Sequence, residues 1–519
     1  MQAVKQVLIV GGGTAGWLTA CFLARKFDAA GEGGVRVTLV ESKDIGIIGV
    51  GEGTFPSIRG TLAAIGIDEA RFIRECHATF KQGVQFNHWV RPAGAAGQAG
   101  YFHPFSQPSQ RPGGLELLPY WLAGAAGELP FAQAVTMQKA VADAAHAPKR
   151  LADGDFLGPM NYAYHFDAGR FAALLAEHGR SLGVQHVLGT VERVELDGDG
   201  AIAAVHTREH GALTAQLYVD CTGFRAALIG EALGSSFKNI NDTLFVDRAL
   251  AMQVPYAAAD TPIPSYTIST AHEAGWTWDI GLQQRRGIGY VYSSRYTDDA
   301  RAEEVLRAYI GPAGDALNPR LLKLNVGYRD VHWVKNCVAV GLSGGFLEPL
   351  ESSGIGLIET AAYLIGYLFP FGGDFAPAAK QYNHFMRQRY ERIVDFIKLH
   401  YCLSRRDSPF WTDNADPRSI PESLREKLAM WRHRPPHRLD FITELEMYPP
   451  SSWQYVLYGM EFETALHASA TDPAEMAAAR HEFEMIAKMA KRALADLPPH
   501  RQLVEYLCRQ AVAPQALRA

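Results

Sequence analysis

A glycine-rich turn near the start of the chain has the residue types and spacing that hold a dinucleotide. Gly11, Gly13 and Gly16 follow the pattern GxGxxG, between an apolar strand at residues 5 to 10 and a helix over residues 17 to 26. The first glycine of this pattern permits a tight turn and the second lets the backbone approach a pyrophosphate. The third lets the helix pack closely on the strand. The turn therefore predicts a phosphate-binding site.

The residues around this turn extend the prediction to the rest of a nucleotide. Thr14 and Ala15 lie at the helix N-terminus, where free N–H groups and the positive end of the helix dipole favour phosphate. Glu41 ends the next predicted strand, residues 35 to 41, where a carboxylate can accept hydrogen bonds from ribose hydroxyls. The segment YVDCTGFRAALIG at 218 to 230 resembles a later part of FAD-dependent monooxygenase-type proteins. We therefore expect FAD here, and no second GxGxxG motif marks a site for NAD(P)H.

The hydrophobic pattern of the rest of the chain predicts the helices, strands and loop that position these groups. Residues 92 to 114 are rich in Gly, Pro, His and aromatics and are predicted to form a long functional loop. The chain turns helical from about residue 376, and one face of this helix carries Tyr390, Ile393, Val394, Ile397 and Tyr401. Other predicted elements are a helix over 166 to 182 and strands at 186 to 195, 201 to 206, 214 to 220, 275 to 294 and 336 to 341.

Composition narrows the class of protein. The 519 residues are 48% hydrophobic and 20% charged, values typical of a globular chain of two or three packed modules. A net charge of -5 argues against a nucleic-acid partner. No apolar run is long enough to span a membrane, and the six cysteines lack metal-ligand or CxxC spacing. No leader precedes the first strand. We therefore expect a cytoplasmic protein with reduced thiols and no metal.

Four further segments resemble the flavin-dependent tryptophan-halogenase family. They are IGIIGVGEGTFPSIRG (45 to 60), ATFKQGVQFNHW (78 to 89), GWTWDIGL (275 to 282) and GLSGGFLEPLESSGI (341 to 355). The last segment fits the family's F-x-x-P-x-x-S-x-G pattern. The likeness continues through the helix at 382 to 401 and RRDSPFW at 405 to 411, and it fades toward the C-terminus.

The resemblance implies an α/β fold of the FAD-binding monooxygenase-like kind. A Rossmann-type ββα dinucleotide-binding module with mixed sheets would carry a helical C-terminal module. We expect the discontinuous FAD-binding module at 1-90, 150-245 and 330-400. Loop and β-sheet insertions on the substrate side would occupy 91-149 and 246-329, and the helical module 401-519.

The family's activity implies a two-component halogenase. It would use FADH2 supplied by a separate flavin reductase, O2 and chloride or bromide to make hypohalous acid. The acid would then halogenate an electron-rich aromatic ring, such as indole or an indole derivative, in a separate pocket. Some members are dimers, so a homodimer is possible, although nothing in this chain marks an interface.

Two residues match the catalytic pair of the family. Lys81, in ATFKQGVQF, would hydrogen-bond hypohalous acid and polarise its halogen, or become a haloamine if burial lowers its pKa. Without the resemblance, an isolated lysine such as Lys81 is usually a surface residue. Glu351 would stabilise the cationic ring and accept its proton, although it could instead be an acid placed at a helix start. Glu348 is the competing acid and is predicted to be structural.

Further matches concern the halide and the flavin. Backbone N–H groups of Ser353 and Gly354 would hold the halide. The remaining positions that match flavin or nucleotide contacts of the family are Glu52, Gly53, Val191, Leu342 and Ile355.

One signature departs from the family pattern. Trp276, Trp278 and Ile280 fit W-x-W-x-I-P, but Gly281 replaces the proline. The tryptophans would form a wall on the flavin side that disfavours simple monooxygenase behaviour, or they are core residues of a strand, or both. Loss of the proline changes backbone stiffness and leaves the two rings in place.

The substrate is less defined by the sequence. His103 and Phe105 resemble the aromatic sandwich that holds indole in tryptophan-specific members, although a loop histidine beside a packed phenylalanine would look the same. Where those members grip the amino acid, this chain has Pro449 and Pro450, with Glu446 or Tyr448 as the available substitutes. Indole, a substituted indole or an aromatic in a larger molecule is therefore as consistent with the sequence as free tryptophan. Two other functions stay open: a flavin-dependent monooxygenase or hydroxylase of the same fold, and a non-catalytic flavin-binding protein.

Overall fold

The computed structural model describes residues 3–43, 51–109, 114–442 and 445–510. The first strands are β1 (Gln6–Val10), β2 (Arg36–Glu41), β3 (Glu52–Gly53), β4 (Thr79–Lys81), β5 (Gly83–Asn87), β6 (Tyr101–Pro104), β7 (Ala163–Phe166), β8 (Gln185–Leu188), β9 (Val191–Leu196), β10 (Ile202–Thr207) and β11 (Gly211–Leu213). The later strands are β12 (Leu217–Asp220), β13 (Phe237–Asn239), β14 (Arg248–Pro255), β15 (Thr267–His272), β16 (Gly275–Gly281), β17 (Arg285–Tyr292), β18 (Arg320–Lys323), β19 (Gly327–Arg329), β20 (Trp333–Val334), β21 (Cys337–Ala339) and β22 (Gly345–Phe346).

The helices concentrate toward the C-terminus. They are α1 (Thr14–Lys26), α2 (Ser57–Ile65), α3 (Glu69–Glu75), α4 (Leu117–Leu122), α5 (Phe131–Val135), α6 (Gln138–Asp143), α7 (Ala168–Ser181), α8 (Asp299–Ile310), α9 (Ser353–Tyr367), α10 (Ala376–Cys402), α11 (Pro409–Ala415), α12 (Glu422–Trp431), α13 (Pro450–Gly459), α14 (Met476–Asp496) and α15 (His500–Arg509). The predicted α/β class with a helical C-terminal part is confirmed.

The chain divides into two compact units. The first consists of Met1–Ile67, Asp167–Asp247 and Lys323–Val394, and the second of Asp68–Phe166, Arg248–Leu322 and Asp395–Ala519. Each unit is built from three separate stretches of chain, so its core depends on contacts between residues far apart in sequence.

The first unit is built on a six-stranded sheet in the order β20-β21-β12-β1-β2-β8. Strands β21, β12, β1, β2 and β8 run parallel. The central strands β1 and β12 are almost wholly buried, as expected for parallel strands covered by helices, whereas the edge strand β8 is partly exposed. Helix α1 packs against α7 and α9 and buries Trp17, Leu18 and Cys21. Smaller sheets of this unit have the orders β11-β10-β9 and β13-β19-β22. This parallel sheet confirms the predicted Rossmann-type arrangement.

The second unit contains the strand run β14-β17-β16-β15-β5-β6 of a seven-stranded sheet. Its neighbours are antiparallel except β5 and β15, which are parallel. Helix α8 covers the sheet through a cluster that includes Leu250, Ile288, Tyr290 and Leu306. A separate antiparallel pair, β4 with β7, places Lys81 opposite Ala163.

Two sequence predictions are wrong in detail. The predicted loop at 92 to 114 contains strand β6, because Tyr101 to Pro104 pair with β5; residues 110–113 of that loop lie outside the described part. The single predicted strand at 186 to 195 is two strands, since β8 joins the parallel sheet and β9 joins a different one. Gly189, between them, donates its backbone N–H to Glu41 as the chain leaves β8.

All of the apolar residues predicted on one face of the long helix are buried: Tyr390, Ile393, Val394, Ile397 and Tyr401. Among the residues that the structure describes, no helix is long and apolar enough to cross a membrane. All six cysteines are free thiols.

Candidate active site

The glycine turn of the first unit has room for a pyrophosphate. Gly11 has φ +113°, and a Cβ there would lie 2.2 Å from the carbonyl oxygen of Cys221. A Cβ on Gly16 would lie 1.8 Å from the carbonyl oxygen of Gly11, so the helix can approach the strand only with glycine here. At Gly13 a Cβ would meet nothing within 4 Å, which leaves one side of the turn open. Helix α1 starts at Thr14 without a side-chain cap, so its first N–H groups remain available to an anion.

The carboxylate of Glu41 is held at the end of β2 by two neighbours. Its Oε1 accepts hydrogen bonds from Trp17 Nε1 at 3.3 Å and from His186 Nε2 at 2.8 Å. A Cβ on Gly12 would lie 1.7 Å from Oε2, so Gly12 makes the space that this carboxylate occupies. Sequence reasoning missed Gly12, Trp17 and His186. Gly12 could have been noticed as an additional glycine within the GxGxxG motif, whereas nothing in the sequence linked His186 to Glu41.

The predicted flavin contacts lie in the same unit as the glycine turn. Leu342 belongs to a short 3-10 turn, Gly341–Ser343. A Cβ on Gly341 would lie 2.8 Å from Cβ of Ala15, which brings that turn against the start of α1. Ile355 is buried in α9, and Val191 opens β9 opposite Thr207.

Glu52 and Gly53 form the short strand β3 and are half-buried. Burial raises the pKa of Glu52 to about 7. Residues 45–50 of the resembling segment lie outside the described residues. The open face at Gly13, the uncapped start of α1 and the restrained carboxylate of Glu41 fit the pyrophosphate and ribose of FAD.

The segment predicted to hold the halide has an unusual backbone. Glu351 (φ 64°, ψ 11°) and Ser352 (φ 59°, ψ 42°) are consecutive left-handed residues, although neither is glycine. Such conformations are strained and persist where the surroundings enforce them, often at functional sites. Helix α9 starts directly afterwards at Ser353, without a side-chain cap. The first backbone N–H groups of this fifteen-residue helix therefore remain available to an anion at the turn.

The side chains of this turn leave room for a small ion. A Cβ on Gly354 would meet nothing within 4 Å. The buried hydroxyl of Ser353 has no hydrogen-bond partner among the described residues. Glu351 is 2% exposed and lies two residues before the first residue of α9, a position that both the catalytic and the helix-start interpretation allow.

Glu359, two turns into α9, is a buried acid that sequence reasoning missed. It accepts hydrogen bonds from Ser57 at 2.9 Å and from Thr61 at 2.5 Å, both on α2. Burial raises its pKa to about 7, although the two hydroxyls oppose the shift. Glu359 thus ties α9, which begins at the predicted halide residues, to the helix that follows β3.

Lys81 is a fully buried lysine in the second unit. It ends β4, and its ammonium lies 5.2 Å from the centroid of the Phe105 ring. The surface-residue alternative for Lys81 is therefore wrong. A buried cation over an aromatic face interacts more strongly than an exposed one because less water competes for it.

The strand that carries Lys81 is fixed from its neighbours. Thr79, on the same face of β4, donates from its hydroxyl to the carbonyl oxygen of Gly281 at 2.6 Å. His165, paired with Thr79, has its Nε2 2.8 Å from Oγ1 of Thr267. Burial, followed by the charge of Lys81 and by His500, holds the pKa of His165 well below its usual range. A neutral imidazole therefore lies near the Lys81 ammonium.

The rings of His103 and Phe105 lie near each other in the second unit. Their ring centroids are 6.3 Å apart and nearly perpendicular. His103 is fully buried, and its Nε2 lies 2.9 Å from Oγ of Ser452. The Tyr455 ring lies 6.1 Å and the Phe396 ring 6.0 Å from His103. The second unit thus brings together three of the predicted residues: Lys81, Phe105 and His103.

The two prolines at 449 and 450 have a local structural role. Pro449 is the N-cap of α13 and Pro450 its first residue, a position where proline is favoured because no N–H is needed. The helix that they start delivers Ser452 to His103. Tyr448 is buried and stacks on Phe396 at 4.1 Å, while Glu446 is half-buried and residues 443–444 lie outside the described residues. Ser452, Phe396 and Tyr455 were missed because they are about 300 residues or more from His103.

Trp276 and Trp278 are both buried in β16. Trp276 lies 6.1 Å from Trp89. Trp278 covers Gly289, where a Cβ would lie 2.1 Å from the indole ring. The indole N–H of Trp278 has no hydrogen-bond partner in the described part of the chain. The core interpretation of these rings therefore holds.

No group of three or more His, Cys, Asp or Glu side chains suited to a metal occurs in the ranges described.

Known proteins match this chain over nearly its whole length. The family described as tryptophan halogenase matches residues 6–475. Tryptophan 6-halogenase SttH of Streptomyces toxytricini is 36% identical over 95% of this chain and 96% of its own. A tryptophan halogenase crystal structure from Shewanella frigidimarina has a TM-score of 0.94 at 40% identity, covering 98% of both chains. A flavin-dependent halogenase from Xanthomonas campestris has a TM-score of 0.88 at 34% identity, covering 99% and 100%.

The fold and these similarities define a flavin-dependent halogenase, an enzyme class that has a FAD-binding Rossmann-type fold. The chain belongs to the tryptophan halogenase family. The predicted family is therefore confirmed. Halogenation is favoured over the two alternatives, a monooxygenase or hydroxylase and a non-catalytic flavin-binding protein.

Proposed function

We propose that this enzyme halogenates an indole-type ring with a hypohalous acid made from chloride or bromide. FADH2 would come from a separate flavin reductase, and O2 would be the oxidant. The observation that carries the proposal is the convergence of the Lys81 ammonium with the Phe105 and His103 rings in one buried place. We further infer that the enzyme works in the cytoplasm, where its six thiols stay reduced.

The proposed roles in the first unit are those of a cofactor and anion site. The turn around Gly13 and the N–H groups of α1 would hold the pyrophosphate, and Glu41 the ribose. When bound in its reduced form, FAD would supply two of the four electrons that reduce O2, and the halide would supply the other two as it is oxidised to hypohalous acid. The amides of Ser353 and Gly354 would hold the halide, because a small anion is stabilised at the start of a long helix.

The proposed roles in the second unit concern the aromatic substrate. Lys81 would donate a hydrogen bond to the oxygen of hypohalous acid and so increase the positive character of its halogen. Phe105 and His103 would hold the substrate ring, with Ser452 fixing the imidazole. The carbon–halogen bond would form as the oxygen–halogen bond of the hypohalous acid breaks. The oxygen would leave as hydroxide and take up a proton to become water, and the ring would then lose its own proton. We keep Glu351, a residue of the first unit, as the acceptor of that proton, the role that the family resemblance implies.

A matched pair of lysine variants tests this function. The enzyme is supplied with FAD, a flavin reductase, NADH and bromide, and with a panel of indoles that includes free tryptophan. We expect Lys81→Ala to lose brominated product by about 100-fold or more, the scale of a positioned proton donor. FAD binding, followed by fluorescence, stays unchanged. Lys488→Ala, which removes an exposed lysine of the same unit, is the control and retains product.

Two results would contradict the proposal. One is unchanged bromination by Lys81→Ala. The other is a wild-type enzyme that gives no brominated indole and no detectable hypobromous acid. The ranking of the indoles by product yield then identifies the preferred member of the substrate class.

A further inference from the structure

A second aromatic cavity, lined in part by Tyr455, lies in the second unit. Its volume is about 260 Å³. The Tyr455 ring lines this cavity and also lies 6.1 Å from His103, so the two places share one wall. The exposed side chain of Gln133 also lines the cavity, which therefore reaches solvent.

Aromatic rings from three elements form the walls. Tyr101 and Phe102 come from β6, Phe131 from α5, and Tyr455 and Tyr458 from α13. Phe131 is packed 5.5 Å from Tyr455 and 5.8 Å from Tyr458, so the rings hold one another in place. Walls of this kind favour a flat aromatic guest.

Two glutamines add fixed hydrogen-bond acceptors. The side-chain NH2 of Gln98 donates to the carbonyl oxygens of Gly100 at 2.8 Å and Gly459 at 3.3 Å. The NH2 of Gln85 donates to the carbonyl oxygen of Tyr101 at 3.1 Å. Because these NH2 groups are occupied, the amides offer their oxygens to a guest. The cavity therefore suits a ligand that carries a hydrogen-bond donor.

The charges around the cavity argue against an anionic guest. Lys139 is the cation that lines it, and its ammonium is paired with Asp143 at 2.5 Å. The same ammonium lies 5.6 Å from the centroid of the Phe102 ring. A carboxylate guest would have to compete with Asp143, whereas a neutral ring leaves this pair intact.

We propose that this cavity is a second binding site for a neutral N–H-bearing aromatic molecule of the size of indole. An apolar cavity of about 150 Å³ accommodates benzene, so 260 Å³ is enough for two fused rings. The ring N–H would donate to the amide oxygen of Gln85 or Gln98. The choice of indole as the guest rests on the proposed function, because an indole-type ring is then an aromatic molecule that this enzyme must bind.

Equilibrium dialysis with radiolabelled indole, on the FAD-loaded enzyme without halide or reductase, tests the proposal. We expect two molecules of indole per chain at saturation. Ala132→Phe places a ring in the cavity, since Ala132 lines it, and lowers the number to one while bromination at low indole continues. Ala123→Phe, at an exposed position outside the cavity lining, is the matched control and keeps two.

A second variant keeps the test valid if Ala132→Phe fails to fold. Gln85→Leu removes an acceptor with little change in volume and weakens the second site about tenfold, the effect of one lost hydrogen bond. If the wild type binds one indole per chain at saturation and Ala132→Phe also binds one, the cavity proposal is overturned and the proposed function is unaffected. If the wild type binds one indole per chain and Ala132→Phe binds none, the cavity site is supported, and the result counts against indole as the substrate. Two indoles that persist in Ala132→Phe overturn the cavity site.

Discussion

Thr79 donates a hydrogen bond from its hydroxyl to the carbonyl oxygen of Gly281 at 2.6 Å, and both residues are in the second unit. This contact joins the strand that carries Lys81 to the residue that replaces the proline of the tryptophan signature. Gly281 thus departs from the family pattern at a place where the backbone, through its carbonyl, helps to position Lys81.

The surroundings of Gly281 have filled the space that a larger residue would need. A Cβ there would lie 2.9 Å from Cγ2 of Ile263 and 2.9 Å from the hydroxyl oxygen of Tyr256. We expect Gly281→Ala to lower the free energy of unfolding by about 1–3 kcal/mol, the usual effect of overpacking a core. Urea denaturation measures the change, and Gly198→Ala, where a Cβ would meet nothing within 4 Å, is the control. Equal stability of Gly281→Ala and wild type would show that Ile263 and Tyr256 can move aside.

The hydrogen bond itself can be tested from the Thr79 side. Thr79→Val keeps the volume but leaves the carbonyl oxygen of Gly281 without this donor. We expect a loss of about 1–3 kcal/mol in the free energy of unfolding, the penalty for an unsatisfied buried acceptor. Thr79→Ser retains a hydroxyl and should lose much less. If Thr79→Val is as stable as wild type in urea while Thr79→Ser is destabilised, the contribution of Thr79 is its methyl group and the hydrogen bond is unimportant.

A buried ion pair offers a third prediction in the second unit. Lys149 and Glu69 are almost fully inaccessible, and their charged atoms are 2.5 Å apart. Glu69 also accepts hydrogen bonds from the hydroxyls of Tyr162 at 2.8 Å and Tyr164 at 2.5 Å. Both tyrosines flank Ala163, which pairs with Lys81, so Glu69 supports the strand beside the predicted catalytic lysine.

Removal of one member of this pair should be far worse than removal of both. We expect Lys149→Met to cost about 3–5 kcal/mol of stability because it leaves a buried, uncompensated carboxylate. The double variant Lys149→Met with Glu69→Gln should recover part of that loss. Urea denaturation of the two single variants and the double variant gives the coupling free energy. A double variant whose loss equals the sum of the single losses would mean that the two residues are energetically independent.

The sequence predicted the local parts of the site well. The glycine turn, the first two strands and α1 follow from period and spacing over about 40 residues, and the structure has them. Helix α10 could be predicted for the same reason, since its apolar residues recur at helical spacing within one continuous segment. Strand β6 was not readable, because four residues become a strand only when they pair with β5.

The side chains that hold the predicted site residues in place could not be predicted from the sequence. Ser452 reaches His103 across 349 positions, and His186 reaches Glu41 across 145. Each supporting residue has a type that usually lies on the surface or in a loop, so nothing local distinguishes it. The family resemblance identified the residues proposed to act on halide and substrate. It did not identify the side chains that hold them, since those depend on how distant segments pack.

Glu359 makes stability depend on pH with a definite sign. Burial raises its pKa from 4.5 to about 7 in the folded protein, so the folded state keeps a proton that the unfolded state releases near pH 4.5. The resulting stabilisation is complete below about pH 4.5 and is lost as the pH rises through about 7. A shift of this size corresponds to a loss of up to about 3 kcal/mol.

Glu359→Gln should remove this pH dependence, because an amide does not titrate. Its oxygen can accept from one of the hydroxyls of Ser57 and Thr61, and its NH2 can donate to the other. We expect the drop in unfolding free energy between about pH 5 and about pH 8 to be smaller in this variant than in wild type. The exposed Glu32→Gln is the control and should retain the full drop. If Glu359→Gln instead keeps the wild-type pH slope, the folded carboxyl of Glu359 is already ionised near pH 5. The hydroxyls of Ser57 and Thr61 would then stabilise its charged form enough to cancel the effect of burial.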